Sequence, residues 1–326
     1  ADISDIKTYS ITDQTVDASE TGFTHSKLGN YGKLYINQST GTYKYIPNDT
    51  KIEELTPNQT DNFTFNVMDD SAEVYNIDTK TFVVNLIGTN DTPVITVERG
   101  NSESANLSET NTTLTTNGTL SVVDLDTTQT VSVTKVGVVA SNNTNGLILA
   151  NSALLDMLTI TQTPIDGTAQ SGTISWAFNS GSEAFNYLAS GETLTLTYTI
   201  KATDDDSSLS SDTQTVVITI VGTNDVPTVL VDNIDRMTSF GKEFSKETAY
   251  LFADLDKTDI FKFEASNLPL GLSINPSTGQ ITGRAVESGV FVITLKAMDS
   301  GTPSLSVTRT FSLLVVAPPQ NDVAQT

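Results

Sequence analysis

An alternating, β-branched run that leads into Asn-Asp occurs three times in this sequence, and such recurrence is the signature of a tandem array rather than of one large fold. Thr81 to Ile87 leads into Gly88-Thr89-Asn90-Asp91-Thr92-Pro93, and Thr215 to Val221 leads into Gly222-Thr223-Asn224-Asp225-Val226-Pro227. Thr310 to Val316 precedes Pro318, Pro319 and then Gln320-Asn321-Asp322. Near period-two patterning in Val, Ile, Thr and Phe predicts strands, and the prolines stop each ladder because proline has no N–H to donate.

Two further acidic elements keep step with the first. Asp69-Asp70, Asp204-Asp205-Asp206 and Asp299 lie 20 to 22 residues before the successive Asn-Asp pairs, about one hairpin. Asp2 and Asp5, Asp124-Leu125-Asp126 and Asp254-Leu255-Asp256 open the three units, each ahead of a strand: Lys7 to Ile11, Gln129 to Val133 and Ile260 to Phe263. Asn37-x-Ser39-Thr40-Gly41 and Asn275-x-Ser277-Thr278-Gly279 predict matching turns between strands. Only 153–158 and 182–189 carry a helical signal, of one or two turns each; the second has a serine N-cap and stops at Gly191. The fold class expected is therefore all-β: tandem Ig-like or cadherin-like β-sandwiches in a linear array, with units at 1–90, 91–224 and 225–317 and a further linker from 318 to 326. The second unit has a strand-like Asn106-Leu107-Ser108-Glu109 ahead of its Asp-x-Asp, and the first has no counterpart. The first unit is thus expected to lack its first strand, either because the sequence begins inside a domain or because an insertion is absent upstream. Ala1-Asp2 reads as a cut inside a longer protein, with no signal peptide ahead of it.

Composition narrows the function. With 39 Asp and Glu against 17 Lys and Arg, the net charge is −22, which repels nucleic acid and anionic lipid. The acidity reads either as a solvated surface or as carboxylates gathered for hard cations. There is no cysteine and a single histidine, His25, so thiol chemistry, zinc sites and Ser-His-Asp catalysis are nearly excluded. The longest apolar run, Phe311 to Ala317, is far short of the ~20 residues that span a bilayer.

Thr173-Ile174-Ser175-Trp176-Ala177-Phe178-Asn179, Leu188-Ala189-x-Gly191-Glu192-Thr193 and Gly222-Thr223-Asn224-Asp225 resemble the VCBS repeat, a β-sandwich of very large bacterial surface adhesins, including the RTX type. Residues 1–93 resemble a more divergent member through Tyr31-Gly32-x-Leu34 and Gly41-Thr42-Tyr43-x-Tyr45-x-Pro47-Asn48. The third unit is similar instead to dystroglycan-type cadherin-like, putative-immunoglobulin domains, through Leu268-Pro269-x-Gly271-Leu272-Ser273-Ile274, Ser277-Thr278-Gly279-x-Ile281-x-Gly283 and Ala297-x-Asp299. Both resemblances imply Ca2+ at the junctions between domains. The third Asn-Asp departs from the pattern: it lacks the preceding Gly-Thr and the following proline.

Calcium takes six to eight oxygens, more than any single turn here supplies, so ligands must converge across a junction. The set expected at the first junction is Asp69, Asp70, Asn90, Asp91, Glu109, Asp124 and Asp126. At the second it is Asp204, Asp205, Asn224, Asp225, Glu243 (or Glu247), Asp254 and Asp256. Asp2, Asp5, Asp299, Asn321 and Asp322 are outlying candidates whose partners are degenerate or beyond the chain. The competing reading is that these residues are simply turn formers. Together these features predict a calcium-stiffened extender of an extracellular bacterial adhesin that serves cell attachment or biofilm formation. It is expected to be a non-enzymatic monomer whose partners are neighbouring domains of the same chain and surface glycans or proteins. The alternative is a carbohydrate- or peptide-binding module of the same adhesin; Trp176 with Phe178 and the Thr193–Thr199 face are read as core pair and solvent face rather than as sugar sites.

Overall fold

The computed structural model describes residues 6–55, 58–70, 77–206, 208–230 and 235–318. Strands dominate, and they group into sheets that follow the three sequence units. In the first unit, Lys7–Ile11, Gln59–Asp69 and Ile77–Leu86 form an antiparallel three-stranded sheet. A four-stranded meander of Thr15–Val16, His25–Leu28, Gly32–Ile36 and Tyr43–Pro47 forms the other sheet. Alternation sends Ile11, Leu34, Ile36 and Phe63 into a small shared core, with Tyr45, Phe65 and Phe82 packed against it.

The second unit has the largest core. Its five-stranded sheet runs Ile165–Asp166, Thr130–Asn142, Thr193–Asp204, Ser211–Val221 and Ser104–Ser108. The opposing sheet runs Leu158–Ile160, Ser171–Asn179, Thr115–Val123 and Val94–Thr96. Along Thr193–Asp204 every second side chain is buried, so Leu194, Leu196, Tyr198 and Ile200 meet Trp176 and Phe178 inside while the threonines lie on the more open face. The third unit pairs a sheet of Arg236–Ser239, Ser306–Val316, Gly289–Met298 and Lys262–Ser266 with one of Glu243–Lys246, Ile281–Arg284 and Leu272–Ile274. Phe263, Ile293, Leu295, Phe311 and Leu313 fill its core.

In the second unit Ser104–Ser108 runs parallel to Ser211–Val221, and in the third Arg236–Ser239 runs parallel to Ser306–Val316. In the first unit, Ile77–Leu86 pairs only with Gln59–Asp69 among the described residues.

The two predicted turns have one geometry. Asn37 Oδ1 accepts the N–H groups of Ser39 and Thr40 at 3.0 and 3.2 Å, and Asn275 Oδ1 accepts those of Ser277 and Thr278 at 2.9 and 3.2 Å. Gly41 and Gly279 then turn through the left-handed region at φ 72° and 69°, where a side chain would be strained. Of the two helical segments, one forms a helix at Asn151–Asp156. The other, 182–189, is a chain of turns, which corrects the reading of Ser182 as a helix cap. There Glu183 Oε1 accepts the N–H of Phe185 at 2.9 Å, and Phe185 adopts φ 62° with its ring fully buried. Burying that ring outweighs a local helical preference that short segments express only weakly.

Candidate metal centres at the two seams

Each carboxylate of interest stands at a strand end, so the sheets aim them at the linkers. Asp124 follows Thr115–Val123, Asp254 follows Phe252–Ala253, Asp204 ends Thr193–Asp204, and Asp299 follows Gly289–Met298. Within each Asp-x-Asp the second residue donates its N–H to the first carboxylate, at 3.1 Å for Asp126 to Asp124 and 3.2 Å for Asp256 to Asp254. This Asx turn joins residues only two apart, so it is written into the local sequence.

The linkers dock on these turns in the same way twice. The Asp91 N–H donates to Asp126 Oδ2 at 2.8 Å, and the Asp225 N–H donates to Asp256 Oδ2 at 2.8 Å. Asn90 Nδ2 donates to Asp204 Oδ2 at 2.9 Å, and Asn224 Nδ2 donates to Asp299 Oδ2 at 3.1 Å. The units also touch directly: Thr127 Oγ1 donates to the Glu54 carbonyl, the Lys257 N–H to the Tyr187 carbonyl, and Ser190 Oγ to the Thr302 carbonyl.

The first seam therefore gathers Asn90, Asp91, Asp124, Asp126 and Asp204, with Glu53 close enough for its charge to act on Asp91. The second gathers Asn224, Asp225, Asp254, Asp256, Asp259 and Asp299, joined from the second unit by Glu109 and Asn111. Asn111 Nδ2 donates to Asp225 Oδ1 at 2.6 Å, and Glu109 accepts the Asn111 N–H on Oε1 and the Thr223 hydroxyl on Oε2 at 2.7 Å.

This arrangement corrects the expected ligand sets. Glu109 belongs to the second seam and Asp204 to the first, the reverse of their expected assignments. Asp69 and Asp70 are not at the first seam: Asp69 pairs in register with Lys7, and Asp70 Oδ1 accepts the Ile6 N–H at 3.0 Å, at the opposite end of the first unit. Asp205 is exposed and accepts both the N–H and the hydroxyl of Thr130. The reason is strand length. After the turn at Asp204, Ser211–Val221 carries the chain about 36 Å to the other end of the sandwich, at ~3.3 Å per residue. An acid about twenty residues before an Asn-Asp thus faces the preceding linker, not the one that follows it.

Glu243 is also displaced from its expected place. It lies on Glu243–Lys246, its side chain 79% exposed and 3.4 Å from Arg284, while Glu247 accepts a bond from Gln280. The position matching Glu109 is instead Phe240, since its N–H bonds the Val316 carbonyl as that of Glu109 bonds Val221. Asp2, Asp5, Asn321 and Asp322 lie outside the described residues. Sequence reasoning missed Glu53, Asn111 and Asp259. Asp259 alone carried a signal, three residues after Asp256 in the same turn.

The seam acids are buried: Asp124, Asp126, Asp204, Asp225, Asp256 and Asp299 are each at most 5% exposed. Burial is the chief cause that pushes Asp124 up to about 6 and Asp256 up to about 7; backbone N–H bonds oppose it, and neighbouring carboxylates add to it. Burial likewise raises Asp91, with Asp126 and Glu53 adding to it, and Asp254, with Asp259 and Asp299 adding to it. Asp225 is raised by burial and by Glu109 against the Asn111 bond. Buried oxygens without a hydrogen-bond partner cluster here: Asp124 Oδ2, Gln129 Oε1, Asn224 Oδ1, Asp225 Oδ2, Asp254 Oδ2, Asp256 Oδ1 and Asp259 Oδ2. Buried polar atoms normally find partners. An all-oxygen, anionic donor set with spare lone pairs fits a hard divalent cation such as calcium.

One other buried acid has a structural explanation. Asp61 accepts the N–H groups of Asn30 and Tyr31 at 2.7 and 3.1 Å and the hydroxyl of Tyr45 at 2.7 Å, which fixes the Asn30-Tyr31 loop over the first core.

Among known proteins, no curated protein matches the chain. Over nearly its full length it is similar to solved cadherin structures. It shares 15% identity with the protocadherin gamma B4 extracellular domain, covering 96% of this chain and 51% of that one at a TM-score of 0.45. Protocadherin gamma B2 domains 1–5 give 14%, 97%, 54% and 0.47, and mouse cadherin-23 EC22-24 gives 17%, 96%, 87% and 0.42. The chain spans about half the length of the first two. A family model described as "Putative Ig domain" matches residues 227–316, so the third unit, with the downstream half of the second seam, is an Ig-like domain.

Proposed function

We propose that this chain is a calcium-stiffened extender segment of a secreted or cell-surface bacterial adhesin, of the VCBS-bearing RTX type, that supports cell attachment or biofilm formation. The observation that carries the reading is the double convergence of buried, partly unpartnered carboxylate oxygens where a linker docks on the sandwich that follows it, the second seam also drawing on the sandwich before it. Two like charges about 5 Å apart cost about 3 kcal/mol at an effective dielectric of 20, so these ends repel one another without a cation. A calcium ion held by Asp91, Asp124, Asp126 and Asp204, or by Asp225, Asp254, Asp256 and Asp299, reverses that sign and ties the linker to the downstream sandwich. At the second seam Glu109 and Asn111 extend the tie to the upstream unit.

In this reading the work is mechanical and no reaction is catalysed. The partners are neighbouring domains of the same long chain, and the setting is outside the cell, where calcium modules operate at roughly 10⁻⁴–10⁻³ M. The test is X-ray scattering and thermal melting with calcium and with EGTA. The expected outcome is a narrow distribution of end-to-end distances and a higher melting temperature in calcium, both lost in EGTA. Identical scattering and melting curves in the two conditions would sink the proposal.

A further inference from the structure

The two seams share one plan and differ at the residue three positions after the Asp-x-Asp. At the first seam that residue is Gln129, and at the second it is Asp259. Asn90 Nδ2 donates to Asp204 and to Ser210 Oγ, which leaves Asn90 Oδ1 facing Gln129 Nε2, a donor at 2.6 Å. The amide thus consumes an oxygen that a cation would otherwise use, and in exchange it offers only its own uncharged Oε1, buried without a partner, in place of a carboxylate. At the second seam Asn224 Oδ1 is buried and has no hydrogen-bond partner. Carboxylate oxygens of Asp254, Asp259 and Asp299 lie within 4.8 Å of one another. Asp254 Oδ2 and Asp259 Oδ2 are likewise buried without partners. Beside them Asp256, only 2% exposed, keeps Oδ1 unpartnered. Ser300 Oγ donates to Asp259 Oδ1 at 3.0 Å and accepts the Ile260 N–H, which holds that carboxylate in place.

We propose that the seams load calcium in order, the second before the first, because Asp259 completes a carboxylate-lined subsite with Asp254 and Asp299 that Gln129 denies to the first. The inference rests on the calcium reading above and adds to it a graded response. Calcium affinity in oxygen sites is tuned by ligand charge count, and the second seam carries the additional carboxylate. The joint between the second and third units then stiffens at a lower calcium concentration than the joint between the first and second.

The test is calorimetric titration of calcium into the chelator-stripped 326-residue chain and four variants. Two classes of site at least tenfold apart in affinity are expected, equivalent to about 1.4 kcal/mol. Asp256→Asn and Asp259→Gln should weaken the tight class and spare the weak one, Asp126→Asn should remove the weak class, and Gln129→Asp should draw it towards the tight one. A single affinity class in the parent chain, or a tight class that disappears with Asp126→Asn, overturns the ordering while leaving calcium binding intact. No heat of binding at millimolar calcium overturns the calcium reading itself. If Asp259→Gln melts the third unit in chelator, Gln129→Asp decides alone: an unmoved weak class refutes the assignment.

Discussion

Replacing Asp256 by asparagine should change stability in opposite directions with and without calcium. The substitution keeps the shape of the side chain, and an amide oxygen can still accept the Asp225 N–H that Asp256 Oδ2 accepts at 2.8 Å. What it removes is one buried charge among Asp225, Asp254 and Asp259. The rise of this carboxyl from 3.8 to about 7 sets a ceiling of about 4 kcal/mol on the destabilisation of the ionised, metal-free fold. Solvent screening and rearrangement of the neighbouring acids reduce that to about 1–2 kcal/mol. In EGTA at pH 8 the variant should therefore melt higher, on the order of 5–10 °C for a unit of this size. In calcium the order reverses. An ion present at a hundred times its dissociation constant stabilises by about 2.7 kcal/mol, and a hundredfold weaker site gives up about 2.3 kcal/mol of that, more than the variant gains by losing the charge. Differential scanning calorimetry of both proteins, with calcium and with EGTA, reads all four values. A variant that melts lower by the same amount in both conditions would show Asp256 to be an ordinary structural residue and refute the electrostatic argument.

Acidity should act on the metal-free chain with a definite sign. Asp124 and Asp256 hold protons in the folded state that the unfolded chain releases near its ordinary value, so stability in EDTA should fall as pH rises from about 4 to about 7 and level off above 8, with the slope flattened in an Asp124→Asn, Asp256→Asn double variant. Glu243→Ala should change the melting temperature and calcium titration negligibly, since its exposed ion pair with Arg284 contributes about 0–1 kcal/mol, whereas Glu109→Gln should weaken calcium binding at the second seam alone. Asp61→Ala should leave two backbone N–H groups and the Tyr45 hydroxyl without their acceptor and destabilise the first unit by about 2–4 kcal/mol, read by chemical denaturation, with no change in calcium stoichiometry.

Local order was legible in the sequence because its causes are local. Alternation placed the long strands ahead of each linker, Asn37 and Asn275 set matching turns, and Asp124-x-Asp126 and Asp254-x-Asp256 closed their Asx turns through neighbouring backbone. The recurrence of Asn-Asp and Asp-x-Asp also marked the residues that do meet, as the Asp91–Asp126 and Asp225–Asp256 bonds record. Even so, 182–189 carried a helical pattern that burial of Phe185 overrode.

Which end of a sandwich each remaining acid faces was decided only in three dimensions. Spacing along the chain does not say whether a strand has been crossed once or twice, and one crossing of Ser211–Val221 separates Asp204 from Asn224 by the length of the domain. Glu109 reaches the second seam because Ser104–Ser108 runs parallel to Ser211–Val221 and ends where that strand ends, a pairing set by sheet topology. Asp259 stands among Asp254 and Asp299 because a turn and a distant strand end close on the same point. The sequence determined which oxygens are available, and tertiary packing decided which of them share a seam, since strand length and direction, not chain order, bring charges together.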